Sequence, residues 1–196
     1  IPLETHNAKL ALRLGRQELG IGNRLVALRD GVTLRRAFDG VRLDGAYGGH
    51  RLTGFYLSPV TNRPDAFDDR RTRGEHFSGL NWQFAGTPVS GQWTAFFFNR
   101  TRNAARFASV SGAEERQTFG VKYQRQTGPW DVTAQGGLQT GRVGPADVLA
   151  WGGAVDAGWT TGASSPVRLG VEVGIASGDT DPGNGRLGTF DPLYPS

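Results

Sequence analysis

Apolar and polar residues alternate with a period of two along most of this chain, the pattern of β-strands with two unlike faces. The clearest run is 167 to 175, where Val167, Leu169, Val171, Val173 and Ile175 alternate with Arg168, Gly170, Glu172 and Gly174. In 8 to 15, Ala8, Leu10, Leu12 and Leu14 alternate with Lys9, Ala11, Arg13 and Gly15, and in 118 to 124, Phe119, Val121 and Tyr123 alternate with Thr118, Gly120, Lys122 and Gln124. Segments 41 to 47, 80 to 84, 130 to 139 and 149 to 159 follow the same rule. Segments 51 to 60 and 92 to 99 also read as strands. Their phase is ambiguous, because Phe55, Tyr56, Leu57 and then Phe96, Phe97, Phe98 occupy both parities. The pattern therefore predicts nine strands and an all-β fold.

The connections distinguish a soluble sandwich from a membrane barrel. Long connections are expected at 18 to 37, 61 to 75 and 100 to 116, a medium one at 140 to 147, and a long segment from Gly178. Between them fall short turns at Gly48-Gly49, Gly86-Thr87-Pro88, Thr127-Gly128-Pro129 and Thr161 to Ser165. Alternating long and short connections mark a transmembrane barrel, with short periplasmic turns and longer extracellular loops. Tyr47, Phe84, Trp93, Tyr123, Trp130 and Trp159 all lie near a predicted short turn, as one interfacial aromatic girdle would. The opposite parity carries Lys9, Arg13, Arg42, Asp44, Lys122, Gln124, Asp131, Gln135, Gln139, Asp156, Arg168 and Glu172. A water-filled lumen accommodates these groups, whereas a dry core would require a partner for each charge. The expected fold is an antiparallel up-and-down transmembrane β-barrel. An odd strand count does not close such a barrel, so 1–196 reads as a single partial barrel domain truncated at the C-terminal end and, from its abrupt Ile1-Pro2-Leu3 opening, at the N-terminal end.

Composition narrows the chemistry. The 196 residues include 30 Gly and no Cys or Met. No run approaches the ~18 consecutive apolar residues of a membrane helix, and the lack of Cys excludes disulfides, thiolate metal sites and cysteine nucleophiles. The net charge of +4 arises before residue 52, where nine Lys or Arg face five acids, while the remainder carries thirteen of each sign. A basic face of this kind suits nucleic acid, a membrane surface or an acidic substrate, and charge alone does not choose. His6, His50 and His76 show no ligand spacing, and the grouping of Asp179, Asp181 and Asn184 reads as a polar turn rather than an EF-hand loop. No catalytic constellation or cofactor motif is present in the sequence.

Specific motifs lie at the two ends. Leu14-Gly15-Arg16-Gln17-Glu18-Leu19, Gly22-Asn23-Arg24-Leu25-Val26, Arg29-Asp30-Gly31 and Arg35-Arg36-Ala37-Phe38-Asp39-Gly40-Val41-Arg42-Leu43 resemble the start of the alginate export family of outer-membrane proteins. Asn184-Gly185-Arg186-Leu187-Gly188-Thr189-Phe190-Asp191-Pro192-Leu193-Tyr194-Pro195 is similar to the family's extracellular segment following a central strand. The resemblance implies a monomeric barrel of about eighteen strands in the bacterial outer membrane. It further implies an arginine-rich constriction that passes a polyuronate, with lipid, lipopolysaccharide and periplasmic secretion components as neighbours and no nucleic acid or cofactor.

Arg is suited to that task, because it binds carboxylates bidentately and stays charged, and rings of Arg or Lys select anions in pores. The expected pore-lining residues are Arg13 and Arg42 on lumen parity, with Asp44 beside them as an interior strut or a tuner of selectivity. Arg16, Arg24, Arg29, Arg35 and Arg36 are expected in the first connection, folded toward the mouth; Lys9, Lys122 and Arg168 complete the set. Two alternatives remain open at this stage. One is a general or carboxylate-selective porin for small anionic solutes. The other is an outer-membrane hydrolase, which needs a Ser and a His at the same membrane depth.

Overall fold

The computed structural model describes residues 2–5, 8–21, 25, 36–61, 70–85, 90–162, 165–181 and 183–194. These residues form twelve strands and no helix: β1 (Pro2–Thr5), β2 (Ala8–Gln17), β3 (Phe38–Tyr47), β4 (His50–Thr61), β5 (Arg70–Arg71), β6 (Glu75–Ala85), β7 (Gln92–Arg106), β8 (Ser111–Thr127), β9 (Trp130–Val143), β10 (Ala146–Thr160), β11 (Arg168–Ala176) and β12 (Arg186–Leu187). Ten of them lie side by side in the order β1-β2-β3-β4-β6-β7-β8-β9-β10-β11, each antiparallel to the next. The short β5 extends the edge of β4, and β12 runs parallel to one end of β10. This is an open up-and-down sheet. All nine predicted strands are present, most of them longer than their alternating cores.

The register aligns the apolar parity across strands. Leu43 lies beside Leu12 and Gly54, and the row continues through Leu80, Phe97, Phe119, Leu138 and Trp151. These side chains face outward together with Leu14, Val171, Val173 and Ile175, which are 63–70% exposed. An exposed apolar band of this extent is the surface a barrel presents to lipid. At one end of it the row Phe84, Trp93, Tyr123 crosses β6 to β8, and Trp130 lies opposite Trp159 on β9 and β10. Tyr47 joins them at the tip of β3. The turns at this end are tight. Gly48 and Gly49 take φ of 55° and 83°, the two left-handed positions of a turn whose twist matches the flanking strands. Residues 86–89, on which the predicted Gly86-Thr87-Pro88 turn falls, lie outside the described residues.

The opposite end departs from expectation. Segments 100 to 116 and 140 to 147 are largely strand, joined by residues 107–110 and by the two-residue turn Gly144-Pro145. The alternation does continue there, but in charged residues: Arg100 and Arg102 oppose Arg116 and Glu114 on the inner face. Their mutual pairing lets a strand carry residues that look like loop when each is weighed alone.

The inner face is likewise not uniformly wet. Phe55, Leu57, Phe77, Phe96 and Phe98 point inward and are buried beneath Leu19, Ile21, Leu25, Leu193 and Tyr194. Two stretches outside the strands thus fold back over β3 to β7, which explains why 51 to 60 and 92 to 99 are apolar on both parities. Gly120 makes room for this layer, since a Cβ there would fall 2.2 Å from Cζ of Phe96. Replacing outward Leu43 with Arg should cost about 2–4 kcal/mol of folding free energy in a bilayer, whereas inward Thr133→Arg should cost under about 1 kcal/mol. Urea unfolding in lipid vesicles measures both.

Candidate functional site

The strands place charged side chains on the inner face in three groups. The first lies on β2 to β6. Arg42 Nε donates to Asp44 Oδ1 at 2.9 Å, and Thr53 Oγ1 donates to the same oxygen at 2.8 Å. Arg13 Nε stands 3.7 Å from the other carboxylate oxygen of Asp44. Arg13 and Arg42 are directly opposed across β2 and β3, a like-charge pair that the shared carboxylate compensates. Arg42, Asp44 and Thr53 border a cavity of about 470 Å³ that is also lined by Lys9, Arg51, Asn81 and Gln83. Among the described residues, Arg42, Lys9 and Arg51 line this cavity as cations and Asp44 as an anion.

The second group sits farther along β7 to β9 and is closed off from solvent. Arg100 is 2% exposed and Arg116 is 0% exposed. Glu114 binds three guanidiniums: Arg116 Nε at 2.8 Å, Arg100 Nη2 at 3.2 Å, and Arg102 through Nε. From the chain end, Asp191 places its carboxylate on Arg100 and 3.5 Å from Arg102. Gln139 closes the network, accepting from Arg116 Nη1 at 2.8 Å and from the Asp191 amide at 2.9 Å, while its own amide donates to the Asp191 carbonyl at 2.6 Å. Charge pairs so deeply buried are costly to leave half-made, and removing one partner typically costs about 3–5 kcal/mol. A third group lies at the tight-turn end, where Arg168 holds Asp131 through Nε at 3.0 Å and Nη2 at 2.6 Å and also binds Asp156.

Among the expected pore residues, the fold brings Lys9, Arg13, Arg42 and Asp44 together. Lys122 is half-buried on the inner face, between Thr94 and Gln135, and Arg168 is inward on β11, across the sheet from β2 and β3. Arg16 departs from expectation. It belongs to β2 rather than to the connection, on the parity of Leu14, and its Nε binds Asp39 at 3.0 Å. The cross-strand acid holds it on the outward side. Arg36 is half-buried with its guanidinium 5.4 Å from the centre of the Tyr194 ring. Arg24, Arg29 and Arg35 lie outside the described residues. Sequence reasoning missed Arg51, Arg100, Arg102, Glu114 and Arg116. The available signal was parity, since Phe96, Phe98, Arg100 and Arg102 are four successive inward positions of one strand.

Asn184 Oδ1 accepts the Arg186 amide at 2.8 Å, a side chain-to-backbone bond of the kind a polar turn makes. For the hydrolase alternative, Ser58 Oγ does lie 3.1 Å from His76 Nδ1. Ser58 is buried, however, and the acid beside it, Asp39, is engaged by Arg16 rather than by the imidazole.

A comparison with protein families matches the alginate export model over residues 3–196. The chain belongs to the alginate export family. That family consists of outer-membrane β-barrel transport proteins, so alginate export is the chain's role in general terms and a polysaccharide its substrate class. A search of curated proteins and one of solved structures each return no match. In this alginate export protein, the segment that bears Asp191 and Tyr194 is tied to the inner wall by groups that titrate. Burial by itself would raise the Asp191 carboxyl, but the hydrogen bond from Arg100 and its charge outweigh burial and hold it below its ordinary value. Burial, followed by the charge of Glu75 and the 2.7 Å hydrogen bond donated to it, pushes the Tyr194 hydroxyl upward.

A depressed carboxylate contributes stability that is complete above its unfolded value and disappears as pH falls through its folded one. Hydrogen-exchange protection of the Asp191, Leu193 and Tyr194 amides should therefore persist down to the ordinary Asp value of 3.8 and fall away below it. Protection lost already near neutral pH would contradict this.

Proposed function

We propose that the inner face is the wall of a passive diffusion path for an anionic polysaccharide, with Lys9, Arg13, Arg42 and Arg51 as its carboxylate contacts. The observation that carries this reading is the shared cavity, which among the described residues is lined by Lys9, Arg42 and Arg51 together with Asp44. A polyuronate carries one carboxylate per sugar and loses hydration in a pore, so fixed guanidiniums that bind carboxylates bidentately offset the loss. Asp44 fixes the direction of Arg42 and keeps the local charge from trapping the polymer, because conduction requires that binding remain weak enough for release. Arg100, Arg102 and Arg116 extend the basic track toward the far end of β7 and β8. Binding energy is thus distributed over several moderate contacts.

Planar-bilayer recordings of the full protein test the proposal. The wild type should prefer anions and be blocked by oligouronates, and Arg13→Glu with Arg42→Glu should raise the half-blocking concentration at least tenfold, about 1.4 kcal/mol. A cation preference, or no block by any uronate, would show that the basic cavity is not a polysaccharide path. Block by small carboxylates equal to that by oligomers would point to a carboxylate-selective porin instead.

A further inference from the structure

The segment 188–194 lies on the inner face in an unusual way: it offers the wall the same chemistry that a uronate would. Its Asp191 carboxylate rests on Arg100 and near Arg102. Its backbone carbonyls take guanidinium donors as well, Leu193 O from Arg100 Nη1 at 3.2 Å and Thr189 O from Arg116 Nη1 at 3.4 Å. A carboxylate flanked by neutral oxygens is what a polyuronate presents at each residue. We infer that Asp191 is an internal stand-in for the polymer's carboxylate, and that Arg100, Arg102 and Arg116 form a uronate-binding site which segment 188–194 occupies until the polymer displaces it.

Three observations support a built and exchangeable site. First, the arginines retain unused donors: Arg100 Nε and Arg116 Nη2 are buried and make no hydrogen bond among the described residues. Asp191 therefore does not saturate the site, and a sugar acid with ring and hydroxyl oxygens brings more acceptors than the segment does. Second, the charge balance requires an anion. Among the described residues, Arg100, Arg102 and Arg116 pair with Glu114 and Asp191, so withdrawal of Asp191 raises the excess of that cluster from one positive charge to two. Withdrawal is unfavourable unless another anion enters, and the segment is held in place by default.

Third, the segment forms no strand of its own and is seated by individual contacts, among them Phe190 N to Ser177 O at 3.1 Å, Ser177 Oγ to Gly188 O at 2.7 Å, and the packing of Leu193 and Tyr194 in the buried apolar layer. Phe190 lies over Gly152, where a Cβ would come within 2.9 Å of its ring. Tyr194 donates its amide to Leu25 O at 2.8 Å and its hydroxyl to Glu75. Beside Phe190 and Pro192 remains a mostly apolar cavity of about 320 Å³ floored by Gly137, Gly152, Ala154 and Gly174. This smooth floor leaves space into which the segment and the polymer can exchange.

The inference rests on the polysaccharide-path reading and concerns how the same path is gated. A site filled by its own chain nine-tenths of the time shows an apparent affinity about tenfold below its intrinsic one. Asp191→Asn keeps the segment's shape and removes the competing charge. In planar bilayers holding the full protein, this variant should be half-blocked by an oligouronate of defined length at about one tenth of the wild-type concentration. An unchanged or higher concentration would overturn the inference.

A second variant guards against a folding defect in the first. The chain has no Cys, and a Cβ at Gly152 would stand 3.1 Å from Cγ of Phe190, so Gly152→Cys with Phe190→Cys places two thiols within disulfide reach. Oxidation should pin the segment and raise the half-blocking concentration at least tenfold, with reduction restoring it in the same membrane. Equal block in both redox states would equally refute the gate. Failure of the oligouronate to block the wild type at all would instead remove the path reading on which the gate depends.

Discussion

Each long strand of this sheet separates two unlike media, and that constraint organises everything else. In a bilayer no water is present to bond a free backbone group, so every strand must pair along its length, and its two faces must match lipid and lumen separately. The register satisfies both requirements at once. The row from Leu12 through Leu43, Leu80, Phe97, Phe119 and Leu138 to Trp151 keeps apolar side chains outside on seven strands, with Gly54 of β4 in the same row. The period of two then obliges the neighbouring positions to face inward, where the arginines are.

Once inward, a guanidinium needs a partner, and the structure arranges partners in two distinct ways. Around Asp44 the pairing is open: one carboxylate serves Arg42 and Arg13 beside a cavity, and the excess positive charge faces space that a solute can enter. Around Glu114 the pairing is closed, with three arginines on one acid and the lid formed by the chain's own segment 188–194. The same chemistry thus appears as an available surface in one place and as a filled site in the other. Desolvation explains the difference, since charges as buried as Arg100 and Arg116 are tolerable only when a nearby anion is always present.

Much of this was legible in the sequence, and the limits have physical causes. Lipid-facing positions such as Leu43 and Val173 announce themselves, because lipid accepts only one kind of residue and the alternation stays clean. Inner positions are less readable. Phe55 and Phe98 confuse the phase because the layer that covers them, Leu19, Leu25, Leu193 and Tyr194, comes from sequence far away. Arg100, Glu114 and Arg116 read as loop, since their compensation lies across strands and at Asp191. Arg16 was misplaced because a run of charge does not disclose where a strand ends, and Asp39 decides its side.

The claim on which all of this stands is that one face of the sheet meets lipid and the other meets water. Since the chain has no cysteine, single cysteines can be placed one at a time and titrated with a membrane-impermeant maleimide in intact lipid vesicles. Thiols at Leu43, Leu80 and Val173 should resist the reagent and be quenched by brominated lipid when fluorescently labelled in detergent beforehand, whereas thiols at Thr53 and Thr133 should react readily. Rapid reaction at Leu43 or Leu80, with protection at Thr53 and Thr133, would contradict the account.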